Sequence, residues 1–341
     1  MRDVKNSNLI SAMCFLLIAT DSAGAFEACT KVPTSSLTVN VRDKGARGDG
    51  STNDSAAIQA ALNQVAGTGG KVMVPDGVYM IDAVPGIMIG SDTTLSLSSG
   101  AIIKAIPNDK IRYSILKINM ASNVTVIGGT LIGERDEHKG VDGEWGMGIH
   151  IRGATNVIID GVTVKNTWGD GFYINERSRN IEICSVTADN NRRQGMSITS
   201  ADGVKILNST FKNTKGTRPQ AGIDIEPNKN NTVSNVQILN SQFLNNKGAG
   251  IIIYAGKSGR DRFINNILID GNYISGNSAG GIAVYNSSGN SITNNIIKNN
   301  PEYSIMLYKN TNENSVTKNL VINGGEIDDK GNNIISENVI Y

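Results

Sequence analysis

The stretch NNRRQGMSITS (190–200) is followed by TRPQAGIDIEPN (217–228), and each carries a glycine and then apolar and polar residues in alternation. The same phrase recurs as GMGIHI (146–151), GDGFYI (169–174), GAGIII (248–253), GGIAV (280–284) and EYSIML (302–307), at intervals of about 23 to 31 residues. A second strand-like phrase lies between successive copies, as in NVIIDGVTV (156–164), NVQILNSQFLNN (235–246) and NSITNNIIKNN (290–300). The interval is too short for a propeller blade, and the apolar residues lack helical spacing. Alternation with a period of two turns one set of side chains inward and the other outward. The pattern is that of an all-β parallel β-helix, a solenoid in which each coil stacks its short strands on the coil below. Asn at the bends fits, because it tolerates left-handed backbone geometry and can hydrogen-bond along a stack.

Composition agrees with many short strands joined by tight turns. The 341 residues are 39% hydrophobic but only 5% aromatic, and they include 38 Gly and 7 Pro. A length that suggests two domains also fits one elongated domain. The net charge of +1 gives no basis for binding nucleic acid, so an acidic ligand would need a local basic patch.

Residues 1–25 read as a signal peptide: Arg2 and Lys5 precede the apolar run LISAMCFLLIA, and Ala23-Gly24-Ala25 forms a cleavage site. That run is too short to span a bilayer. The expectation is a periplasmic or secreted protein without a membrane span after cleavage. The rest, 26–341, reads as one β-helix domain, with a capping segment at about 38–82 and coils at about 83–341. Cleavage would remove Cys14 and leave Cys29 and Cys184, for which sequence does not decide between a disulfide and two free thiols.

The capping segment predicts a short amphipathic helix, with Asp54 as N-cap, Ile58, Ala61, Leu62 and Val65 as an apolar stripe, and Gly67, Gly69 and Gly70 as its stop. A terminal repeat of a solenoid needs such a cap. The stretches GARGDGSTNDSAAIQAAL (45–62) and GGKVMVPDGVYMI (69–81) resemble the N-terminal segment of pectate-lyase-like proteins. That superfamily of right-handed, single-stranded parallel β-helices includes polysaccharide lyases, polygalacturonase-like hydrolases, C5-epimerases and phage tailspikes. With the repeats, the resemblance spans roughly residues 38 to 341. It implies the fold and its handedness, and leaves the reaction open.

Stacking the phrases in register places His150, Tyr173, Ser197, Asp224, Ile252, Ala283 and Met306 in one outward column. Arg152, Asn175, Thr199, Glu226, Tyr254, Tyr285 and Tyr308 form a second. Ionisable residues crowd onto the four rungs between 145 and 226, and the tyrosines beyond read as a stacking ladder. Candidate catalytic residues are therefore Asp170, Tyr173, Arg192, Arg193, Asp224 and Glu226. Trp145, His150, Trp168 and Gln194 are candidate substrate-binding residues, and His138, in the polar insert 133–146, reads as solvated.

Asp170 matches the Asp of the Thr-Asp-Gly motif in polygalacturonases, but their following Asp-Asp, His-Gly and Arg-x-Lys are missing, as is the Asp-Pro-His motif of mannuronan epimerases. Arg can hold a uronate carboxylate bidentately. Neutralising that carboxylate acidifies the adjacent C5 proton, which a base must then remove. Arg192 or Arg193 could neutralise, and Tyr173 or His150 could move the proton. Asp224 and Glu226 alternate on one strand, a spacing compatible with inverting hydrolysis. With Asp170 they could instead bind Ca²⁺, or pair with the arginines as a structural ladder. The resulting expectation is an exported, monomeric enzyme on an acidic polysaccharide, foremost a lyase. A polygalacturonase-like hydrolase and a uronate C5-epimerase are the enzymatic alternatives, and a non-catalytic glycan-binding or adhesion β-helix is the other.

Overall fold

The computed structural model describes residues 28–30, 34–256 and 262–341; the proposed signal peptide lies outside them. The chain winds into three parallel sheets of twelve, twelve and ten strands, and every pairing joins one coil to the next. The third sheet, from Ile87–Met88 to Ile327–Asp329, contains all of the Gly-apolar-polar-apolar phrases.

Period-two alternation fills the interior with columns of like residues. On the third sheet Ile149, Phe172, Met196, Ile223, Ile251, Ile282 and Ile305 stack in register, and all are fully buried. On the second sheet Phe211 and Phe243 stack at 5.4 Å between ring centroids, with Ala188 on the preceding rung. Aliphatic columns fill most of the remaining core, which is why so few aromatic residues suffice.

The bends use asparagine in two ways. Asn156, Asn180, Asn235 and Asn266 adopt positive φ at exposed corners, where Asn carries less strain than most side chains. Asn246, Asn277 and Asn300 form a buried ladder. The Asn277 side-chain amide donates to Asn300 Oδ1 at 3.0 Å and to the Phe243 carbonyl at 3.0 Å, while its Oδ1 accepts from Asn246. Such ladders satisfy the polar groups of each bend on the bend next to it.

Helix Ser55–Val65 buries Ile58, Ala61, Leu62 and Val65 against the first coils. Asp54 stands at the N-cap position but makes no side-chain cap; its carboxylate accepts from the backbone N–H groups of Arg47 (2.7 Å) and Gly48 (3.0 Å). Cys29 and Cys184 are joined in a disulfide, and Thr30 donates from its backbone and hydroxyl to Glu182 at 2.8 and 2.7 Å. The N-terminal arm is thereby fastened to the first sheet. Among the described residues no helix is long and apolar enough to cross a membrane.

Candidate functional site

The outward column of the third sheet is in the register expected, from His150 through Tyr173, Ser197, Asp224, Ile252 and Ala283 to Met306. It also extends one rung earlier, to Lys117 opposite His150. Its phrase, SILKIN (114–119), falls outside the repeat interval, since Lys117 lies 33 residues before His150, and it lacks the glycine that most of the other copies carry. Lys117 donates to the Val84 and Pro85 carbonyls at 3.1 and 2.7 Å, and burial pushes its ammonium below the usual lysine range.

Over these early rungs lies an open groove of about 570 Å³, lined by Arg112, Trp145, His150, Arg152, Tyr173 and Asn175 among others. The Arg112 guanidinium lies 5.0 Å from the Trp145 ring, and Arg152 is 3.7 Å from Glu176. His150 Nε2 is 3.0 Å from Asn175 Oδ1, and the His150 and Tyr173 rings are 5.0 Å apart. Burial pushes the imidazole below its ordinary range, so it is neutral at pH 7. Donation of Nε2–H to Asn175 leaves the lone pair on Nδ1. The Thr199 hydroxyl donates to Tyr173 Oη at 3.2 Å.

The next rungs hold a buried charge cluster. Arg193 Nη1 is 3.1 and 3.3 Å from the two Asp170 oxygens, and its Nε is 3.7 Å from Glu144 on the insert. Gln194 bridges, accepting from the Ala221 N–H at 2.8 Å and donating to Asp224 at 2.8 Å. Both aspartates were expected on the outer surface, and both do leave the solenoid core. Neighbouring side chains nevertheless cover them, to 0% exposure for Asp170 and 2% for Asp224. Burial, reinforced by Glu226, pushes Asp224 up to about 8 against the pull of Arg193. Burial also raises Asp170 while Arg193 opposes it, and the Asp170 charge in turn holds Arg193 firmly protonated.

Two expected substrate contacts are taken up internally. Arg192 donates to the Gly143 carbonyl at 2.9 Å, and its guanidinium lies 3.7 Å from the Trp168 ring. The His138 ring stacks on the same indole at 4.0 Å, so Trp168 packs protein rather than lining the groove. His138, expected in solvent, has a side chain only 1% exposed, because Glu134 and Trp168 enclose it. The Ca²⁺ alternative does not fit either. Asp170, Asp224 and Glu226 do not converge as a ligand set, and Arg193 occupies Asp170. Among the described residues only Cys29, Glu182 and Cys184 cluster closely enough, and both thiols are in the disulfide.

A continuous three-sheeted solenoid with a polar groove on one face defines a right-handed parallel β-helix with a ligand-sized furrow. The chain belongs to the family described as right handed beta helix region, whose model matches residues 82–238 and 234–341. It is 32% identical over 219 residues to the uncharacterized protein YclG of Bacillus subtilis, covering 55% of this chain and 38% of that protein. It is 34% identical over 173 residues to the mannuronan C5-epimerase AlgE4 of Azotobacter vinelandii, covering 46% of this chain and 31% of the epimerase. The chain thus spans well under half the length of either relative. Among solved structures, a family 28 exopolygalacturonase of Yersinia enterocolitica superposes with a TM-score of 0.65 at 18% identity, over 89% of this chain and 68% of that one. At that identity the likeness shows the fold alone.

Proposed function

We propose that the protein is an exported enzyme acting on an acidic polysaccharide, and that its central step is removal of the C5 proton of a uronate in the Arg112–Arg152 groove. The observation that carries this reading is the placing of two arginines around a neutral His150 paired with Tyr173. Arg112 and Arg152 would neutralise the uronate carboxylate and so acidify C5–H. His150 Nδ1 would accept that proton. In elimination the freed electron pair becomes the C4=C5 double bond, the C4–O bond breaks, and the Tyr173 hydroxyl protonates the leaving oxygen. Positioned acid–base groups of this kind contribute about 10²- to 10⁴-fold in rate.

Epimerisation is the second reading, favoured by the 34% identity to AlgE4. It shares the same deprotonation and differs only in returning a proton to the opposite face of C5. Hydrolysis by Asp224 and Glu226 is less well supported, because Asp224 is only 2% exposed, and Asp170, which matches the polygalacturonase motif, is 0% exposed. The Cys29–Cys184 disulfide supports export, since such bonds persist in oxidising compartments.

A panel of uronate polymers separates these outcomes. New ultraviolet absorbance at chain ends marks elimination, and new reducing ends without absorbance mark hydrolysis. Inverted C5 protons by NMR, at constant chain length, mark epimerisation. Saturable binding with no chemical change would identify a glycan-binding β-helix and overturn the enzymatic reading.

A further inference from the structure

A second buried group of titratable side chains lies outside the groove, inside the insert that follows strand Thr130–Ile132. Glu134 is 1% exposed; Tyr113 Oη donates to its Oε1, Asn108 Nδ2 lies at 3.4 Å, and His138 Nδ1 is 3.0 Å from both of its oxygens. From there the contacts run in series. The His138 ring stacks on Trp168, Trp168 lies against Arg192, and Arg192 holds the Gly143 carbonyl. The next residue, Glu144, places its carboxylate 3.7 Å from Arg193 Nε. Arg135 and Lys139 tie the insert down as well, through Asn190 and the Asn108 carbonyl.

We propose that Glu134 and His138 form a proton-dependent latch that positions the 133–145 insert, and with it Glu144, against Arg193, and that releases the insert when the pair loses its proton. Burial, with Glu137 adding to it, pushes Glu134 up to about 8, whereas burial and the neighbouring Arg192 push His138 down against the pull of Asp109. At neutral pH the proton therefore sits on Glu134, which donates to His138 Nδ1 while accepting from Tyr113. Among the described residues His138 is the one basic group paired with Glu134, and with its proton affinity depressed it stays neutral there, so loss of that proton leaves a buried carboxylate whose relief comes from moving toward water. A carboxyl raised in the folded state contributes stability that is full below its ordinary range and disappears as pH rises through about 8. His138 acts in the other direction: its contribution is present above the ordinary histidine range and is lost as pH falls through the depressed value. The latch thus holds near neutrality and opens in alkali.

The latch ends at the Arg193–Asp170 ion pair and not in the Arg112–Arg152 groove, and its test needs no substrate, so failure of the polysaccharide reading would leave its result standing. In a Trp145→Phe background, Trp168 is the only tryptophan, and it reports on the His138 ring stacked against it. Its emission is expected to change with a midpoint near pH 8, and Glu134→Gln should abolish that transition. Tryptic cleavage after Arg135 or Lys139 should rise from pH 7 to pH 9 at least tenfold more in the parent than in Glu134→Gln. A transition that persists in Glu134→Gln, or its absence from the parent, overturns the proposal. Should Glu134→Gln fail to fold, Tyr113→Phe decides. Losing the donor to the carboxylate should raise the midpoint, and an unmoved midpoint overturns the latch.

Discussion

One column of one sheet has two characters. On its early rungs Lys117, His150, Tyr173, Ser197 and Asp224 follow one another at about 4.8 Å per rung, and on its later rungs Ile252, Ala283 and Met306 do, before the last rung brings in Asp328. The neighbouring later column is aromatic: Tyr285 stacks on Tyr308 at 3.8 Å and meets Tyr254 edge-on at 5.5 Å. Both halves share the same backbone, a buried apolar inward column and the same parallel register. Stability therefore comes from what the two halves have in common, and the proposed chemistry is assigned to the half whose outward residues can move protons.

The largest effect is expected inside the early half. Arg193→Ala leaves Asp170 buried without its partner, and unfolding free energy should drop by about 3–5 kcal/mol, along with most of the activity. An unchanged denaturation midpoint would show that the cluster is not a buried ion pair. His150→Gln and Tyr173→Phe should sharpen the contrast, cutting kcat by about 10²- to 10⁴-fold while the melting temperature holds. Equal losses in melting temperature would make these residues structural.

Asn277→Ala should do the reverse. It removes a ladder rung with partners on both sides and should cost about 1–3 kcal/mol in chemical denaturation, with kcat preserved. Asp224→Asn should flatten the fall of melting temperature between pH 6 and 9. The folded carboxyl is raised to about 8, so its stabilising contribution is lost as pH rises through that value, and Asn cannot ionise. An identical decline in the two proteins would show that Asp224 is already charged. Tyr308→Phe should leave turnover unchanged in steady-state assays, and a loss of activity there would extend the site onto the aromatic half.

The solenoid was legible because its signal is local and repeated. Each Gly-apolar-polar-apolar phrase states its own inward and outward faces, so the shared register of His150, Tyr173, Ser197 and Asp224 follows from counting residues. Lys117 falls outside that count because the 133–146 insert lengthens its coil beyond the repeat interval. Tyr254, Tyr285 and Tyr308 meet in one column as their spacing implies, although only Tyr285 and Tyr308 stack face to face.

What the amino-acid order determined by itself was thus the β-helix, its capping helix Ser55–Val65 and the membership of each outward column. Only the tertiary structure decided how those columns are covered. It turned Arg192 onto Trp168, buried Asp170 and Asp224, enclosed His138 beside Glu134, and joined Cys29 to Cys184. The physical reason is that period-two alternation specifies which way a side chain leaves the backbone. Burial, charge and proton affinity depend instead on what an insert or a distant arm lays over it, and the repeat carries no record of that.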